Sequence, residues 1–180
     1  MAMLCGSVFM SITSAQTDSL NIITSDTTWS LANSPYTISA RVIVNSGATL
    51  TIEPGVTVNI NSGACLLVDG TLKARGTADQ KVFFYGGEIW LTQNSPGWNP
   101  QTSSGCIIEN AVIRGATLIV GNSAKISSNT MVGQSNSIPI TVMTVGGSPE
   151  ISHNTISGGN PINISGGAPK ITYTKLVGGR

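Results

Sequence analysis

The sequence predicts an all-β solenoid, in which short strands wind into coils and the coils stack in parallel. Three observations carry this. The first is a repeat. Residues 121–133 read GNSAKISSNTMVG, residues 146–158 read GGSPEISHNTISG, and residues 166–178 read GGAPKITYTKLVG. A fainter copy starts at Ile107, where Ile107, Asn110 and Val112 keep the same offsets. The copies lie about 20–25 residues apart, a spacing at which each unit buries its apolar face only against its neighbours. The second is period. Apolar residues alternate with Ser, Thr and Asn instead of recurring at helical spacing. The third is punctuation. Gly and Pro bound each unit, as bends require, and the chain holds 21 Gly.

Each unit is too short for two helices and a turn, so it reads as a coil of two or three strands. Stacked coils then pair strand on strand roughly 4.8 Å apart. The first half follows the same rules less regularly. In residues 49–60, TLTIEPGVTVNI, Leu50 and Ile52 share one face. Val56, Val58 and Ile60 share another after the Pro54-Gly55 bend. In residues 65–77, CLLVDGTLKARGT, Leu66, Val68, Leu72 and Ala74 keep period two across Asp69-Gly70, with Lys73 and Arg75 opposite. Strands joined by tight Asp-Gly turns also suit antiparallel hairpins. The downstream repeat favours coils.

Two blocks carry a family resemblance. Residues 34–77, SPYTISARVIVNSGATLTIEPGVTVNINSGACLLVDGTLKARGT, resemble the opening coils of right-handed parallel β-helices of the pectin-lyase-like kind. The Ile-x-x-Asn-x-[VMI] units from Ile107 onward resemble their later coils. More narrowly, the chain is similar to repeat-bearing secreted and surface proteins, a group that includes the NosD-type copper-site maturation proteins. The resemblance implies a right-handed β-helix of roughly six or seven coils. It does not single out an activity, because this fold hosts lyases, hydrolases, adhesins and inert spacers.

In a coil stack, equivalent positions lie above one another. Asn110, Asn129 and Asn154, with Thr174 in the same slot, therefore form a column at a buried bend. Bends need their backbone groups satisfied, and stacked amides satisfy them from coil to coil. The alternative for this column is a polar strip that binds a ligand.

Composition narrows the rest. Charged residues make up 9% of the chain and the formal net charge is +1. No basic patch marks a nucleic-acid partner. Low charge with abundant Thr, Ser, Asn and Gly suits a secreted, extracellular or cell-surface protein. Residues 1–15, MAMLCGSVFMSITSA, read as a signal peptide with Ala15 placed for cleavage, although no Lys or Arg precedes Arg41. The other reading is an apolar cap strand kept in the mature protein. The run is too short for a stable membrane span, which needs ~20 apolar residues. Residues 16–35 then form a lead-in and cap, with Trp29 and Tyr36 at the first coil, and residues 36–180 form the β-helix. Nothing near Arg180 reads as a cap, so further coils or an end-to-end partner are expected to cover the last layer. Cys65 and Cys106 sit about two coils apart, ~9.6 Å, too far for a disulfide. Both are expected as free, half-buried thiols.

Few residues in the chain suggest chemistry. His153, the single histidine, occupies a slot held elsewhere by Ser128 and Tyr173, so it reads as an outward surface position. Calcium wants several oxygen ligands together, and glycoside hydrolysis wants paired carboxylates. The acidic residues here are scattered singly. Glu109 and Arg114 read as a surface ion pair. Met131 and Met143 read as core or strand residues and not as copper ligands. No metal site or cofactor is expected. The irregular segment 86–104, GGEIWLTQNSPGWNPQTSS, holds Trp90 and Trp98 among amides. Loops on rigid scaffolds are usual binding places, and aromatic faces beside amides suit sugar rings. Trp98, flanked by Gly97 and Pro100 in a turn, is the better candidate, whereas Trp90 lies in the strand-like EIWL. The plainer alternative is that Trp90 plugs a coil and Trp98 covers its side.

The expected function is a structural or adhesive module without catalytic activity, with polysaccharide or cell-envelope components as its candidate partners. The alternatives are a fragment of a β-helix polysaccharide lyase or glycoside hydrolase and, less favoured, a NosD-like periplasmic module.

Overall fold

The computed structural model describes residues 22–133, 140–142, 147–158 and 161–178. The predicted signal peptide and Met143 lie outside them. The described chain is a parallel β-helix of seven coils. Three seven-stranded sheets, each parallel throughout, run along the stack. Each coil gives one strand to each sheet in turn. The first coil contributes Ile22–Ile23, Thr27–Trp29 and Tyr36–Ile38, and the last contributes Asn163–Ile164, Lys170–Thr172 and Lys175–Gly178. The first sheet thus runs from Ile22–Ile23 to Asn163–Ile164, the second from Thr27–Trp29 to Lys170–Thr172, and the third from Tyr36–Ile38 to Lys175–Gly178.

The alternation read from the sequence fixes which side chains point inward. One inward column of the second sheet is Trp29, Ile52, Ala74, Ile108, Ile126, Ile151 and Ile171. A matching column in the third sheet includes Phe84, Ile113, Met131 and Ile156, all essentially buried. Met131 is therefore core. The inward side chains form one continuous apolar interior. In the seventh coil the inward Ile164, Ile171 and Leu176 are 49%, 37% and 51% exposed.

Several expectations change. The hairpin alternative fails at Asp69-Gly70. Cys65–Val68 belongs to the first sheet and Thr71–Arg75 to the second, so the turn is a corner between sheets. A Cβ at Gly70 would run into the carbonyl oxygens of Asn45 and Ala48, so this corner requires glycine. The stack also starts before residue 36. Ile22–Ile23 and Thr27–Trp29 already pair with the second coil. The lead-in is thus itself a coil, closed by the stacked rings of Trp29 and Tyr36, 4.8 Å apart.

The faint copy at Ile107 is out of register by one residue. Ile108, and not Ile107, pairs with Ile126. Ile113, and not Val112, pairs with Met131. Asn110 accordingly stands one residue before the slot held by Asn129, Asn154 and Thr174, which Ala111 occupies in its coil. The column containing Asn110 is instead Asn110, Ser128, His153 and Tyr173, with φ of 51°, 58°, 56° and 49°. These left-handed residues turn the chain from the second sheet into the third. Such conformations cost non-glycine residues energy, which the next slot offsets.

Candidate functional site

Asn129 and Asn154 are each 2% exposed. Asn129 Oδ1 accepts the Ala111 N–H at 2.8 Å, and its Nδ2 donates to the Ile108 carbonyl at 2.9 Å. One coil later, Asn154 Oδ1 accepts the Asn129 N–H at 2.9 Å while Nδ2 donates to the Ile126 carbonyl at 2.8 Å. Each amide clamps both ends of the left-handed bend in the coil before it. Thr174 makes half of this clamp, donating to the Ile151 carbonyl at 3.3 Å. Asn110, half-buried, makes one bond, from Nδ2 to the Gly76 carbonyl at 3.2 Å. At Asn129 and Asn154 both ends of the buried amide bond backbone, so these two serve the bends.

The two tryptophans do not share a surface. Trp90 lies in the regular strand Glu88–Leu91, whose Ile89 and Leu91 point inward. The coil rhythm therefore continues through residues 88–91, and Trp90 projects outward from the first sheet, 37% exposed, instead of plugging a coil.

Trp98 belongs to the true insertion, residues 92–106. This loop folds onto the outer face of the second sheet. Trp98 N–H donates to the Ser123 carbonyl at 2.9 Å, and Cys106 N–H donates to the Pro96 carbonyl at 3.0 Å. Asn99 and Ser104 form a short antiparallel bridge inside it. Asn122, 4% exposed, holds the loop base. Its Nδ2 donates to Ser95 Oγ at 2.8 Å and to the Ser95 and Pro96 carbonyls at 3.2 Å. Sequence reasoning missed Asn122. The available signal was an amide at a coil corner facing an insertion in the coil before.

Two cations flank the half-buried indole. Arg75 Cζ lies 6.0 Å and Lys125 Nζ 5.8 Å from the ring centroid, within cation–π range. Both also pair with Glu109, at 2.9 Å and 3.5 Å. The predicted partner, Arg114, is not involved. The left-handed bend at Asn110 sends Arg114 into the third sheet, on another face. Burial alone would raise the Glu109 pKa. The Arg75 hydrogen bond, the charges of Lys125 and Arg75, and the Ser127 hydroxyl outweigh it and hold the carboxyl below its ordinary value. Ile107 lies beneath this cluster. It sits between Lys73 and Lys125 in an outward column, yet has no exposure, because the loop covers it.

The remaining candidates are dispersed. His153 is exposed and stacks on Tyr173 at 4.9 Å. Cys65 is half-buried and Cys106 is buried, and both are free. Cys106 Sγ accepts from the Leu72 N–H and donates to the Gly70 carbonyl, and burial raises its pKa. Among the described residues, no three His, Cys, Asp or Glu side chains group as metal ligands. No helix among them is long and apolar enough to cross a membrane. Comparison of the chain with family models, curated proteins and solved structures gave no match.

Proposed function

We propose that the chain is a secreted or cell-surface structural and adhesive module. In this reading it is a right-handed β-helix of the pectin-lyase-like kind, non-catalytic, and it touches polysaccharide through the Trp98 face. The observation that carries the reading is the Trp98 loop, which interrupts a stack that is otherwise regular among the described residues. Among the described residues, the loop 92–106 folds onto the scaffold and sets its indole within reach of two cations. Lys73, Arg75, Lys125 and Lys170 share this outer face with two carboxylates, Glu109 and Glu150. The positive excess favours polymers that carry acidic groups, with the indole supplying apolar contact.

The test is tryptophan fluorescence titration with neutral and acidic surface polysaccharides, repeated on Trp98→Ala. Trp29 is 4% exposed, so it contributes a constant background. The expected result is a saturable, salt-sensitive shift with acidic polymers that Trp98→Ala abolishes. No shift with any polymer, or a shift unchanged in Trp98→Ala, overturns the polysaccharide reading.

A further inference from the structure

We infer that the outer face of the first sheet is a self-association surface, and that its occupant is a second copy of this chain in antiparallel orientation. Two outward columns carry the inference. The first is apolar: Ile22, Ile43, Leu67, Trp90 and Ile119 lie in successive coils, in register. Ile22 is 48% and Trp90 37% exposed, and the other three are half-buried. Isolated surface apolar residues need no explanation, whereas a contiguous apolar row rimmed by polar residues suits an interaction site. The second column, beside it on the same face, is Arg41, Cys65, Glu88 and Thr117. Arg41 and Glu88 are exposed, and neither belongs to an ion pair found among the described residues.

The arrangement is self-complementary. Place a two-fold axis in the plane of the interface, along the strand Cys65–Val68. It reverses the order of coils and keeps each column opposite its own copy. Leu67 then faces Leu67 of the second copy, Trp90 faces Ile43, and Ile22 faces Ile119. Arg41 faces Glu88 and Glu88 faces Arg41, so both charges are paired at once. This reciprocity is what an isologous dimer requires. The other in-plane axis, along the solenoid, would set both charges against apolar residues. The chosen axis creates one like-charged pair, Asp69 with itself. Asp69 lies beyond the strand at the corner, and its carboxylate already accepts the Thr92 hydroxyl at 2.7 Å.

Five strands at ~4.8 Å and about four residues of width give roughly 320 Å² of sheet per copy. A standard interface takes about 800 Å² per partner. The dimer is therefore reversible and concentration-dependent. Trp98 lies on a different face, so this inference stands or falls apart from the polysaccharide reading.

The test is sedimentation equilibrium over a concentration series, without polysaccharide, with cross-linking through Cys65. Packed sheets stand ~10 Å apart, too far for a direct disulfide but within reach of a short bismaleimide. The expected result is a monomer–dimer equilibrium, a covalent dimer with the bismaleimide, and loss of that product in Cys65→Ser. Arg41→Glu sets like charges together twice and should weaken association about tenfold or more. Arg41→Glu combined with Glu88→Arg restores both pairs and should recover it. Circular dichroism confirms that each variant is folded. A monomer at every concentration overturns the inference. So does a dimer indifferent to Arg41→Glu, or one that cross-links equally in Cys65→Ser. Binding to lipid vesicles or to neutral polysaccharide that requires Trp90, without dimerisation, would assign the stripe to that partner instead.

Discussion

The side-chain oxygen of Asn154 accepts the backbone N–H of Asn129, 2.9 Å away in the preceding coil. Asn129 repeats the contact one coil further back on Ala111. Two amides thus hold two left-handed bends, and neither amide serves its own coil.

Removing either amide should be costly. Asn129→Ala strands the Ala111 N–H and the Ile108 carbonyl in a buried site. Unsatisfied buried groups cost about 1–3 kcal/mol, so chemical denaturation should show a loss of that order for Asn129→Ala and for Asn154→Ala. Asn110→Gly should change stability by less than about 1 kcal/mol, because relief at the left-handed position offsets a single half-buried bond. Equal losses at positions 110 and 129 would contradict the register described above.

At the same bends, Ser128→Gly should stabilise. Ser128 holds φ of 58° on an exposed corner, and its side chain makes no hydrogen bond found among the described residues. The left-handed cost of about 1–2 kcal/mol is partly returned by the entropy glycine loses on folding. A gain of about 0.5 kcal/mol or more in denaturant titration is the expected reading.

The Trp98 cluster should respond to acid through Glu109. Its carboxyl pKa is lower folded than unfolded, so its contribution is present above the unfolded value, about 4.3, and is lost as pH falls through the lowered folded value. Glu109→Gln should flatten that acid limb of the stability curve and free the flanking cations. Trp98 emission followed in both proteins between neutral and acid pH checks it, and an identical pH dependence in the two would refute it.

The non-catalytic reading makes a plain prediction. The purified chain should release neither unsaturated nor reducing ends from polygalacturonate or related polymers, with or without calcium. Reproducible product formation that follows the folded protein through purification would overturn it.

The fold was legible because alternation and repeat length both report on packing against a neighbour. The inward columns follow directly from them. The register at Ile107-Ile108 was not legible. Both residues are apolar, since the loop lid buries an outward slot that would otherwise be polar, and that hides the strand period at the point where it was needed. Trp90 was legible as a strand residue in EIWL, but its outward side was not. Its strand keeps period two, but the adjacent insertion made the whole segment look irregular. The paired columns on the first sheet could not be read from sequence, because unequal turn lengths between coils scatter Ile22, Ile43, Leu67, Trp90 and Ile119 at irregular intervals. Asn122 was invisible without knowing where the insertion folds back.

The clamps also give the stack a direction. Each amide reaches only toward the N-terminal side, so a coil's bend is secured by the coil that follows it. The later coils, from Ala111 to Thr174, can therefore close like a zip, each new turn locking the one already laid down. Shortening the chain by one turn removes more than that turn's own contacts. It reopens the corner before it, and damage at the C-terminal side should travel inward one bend at a time.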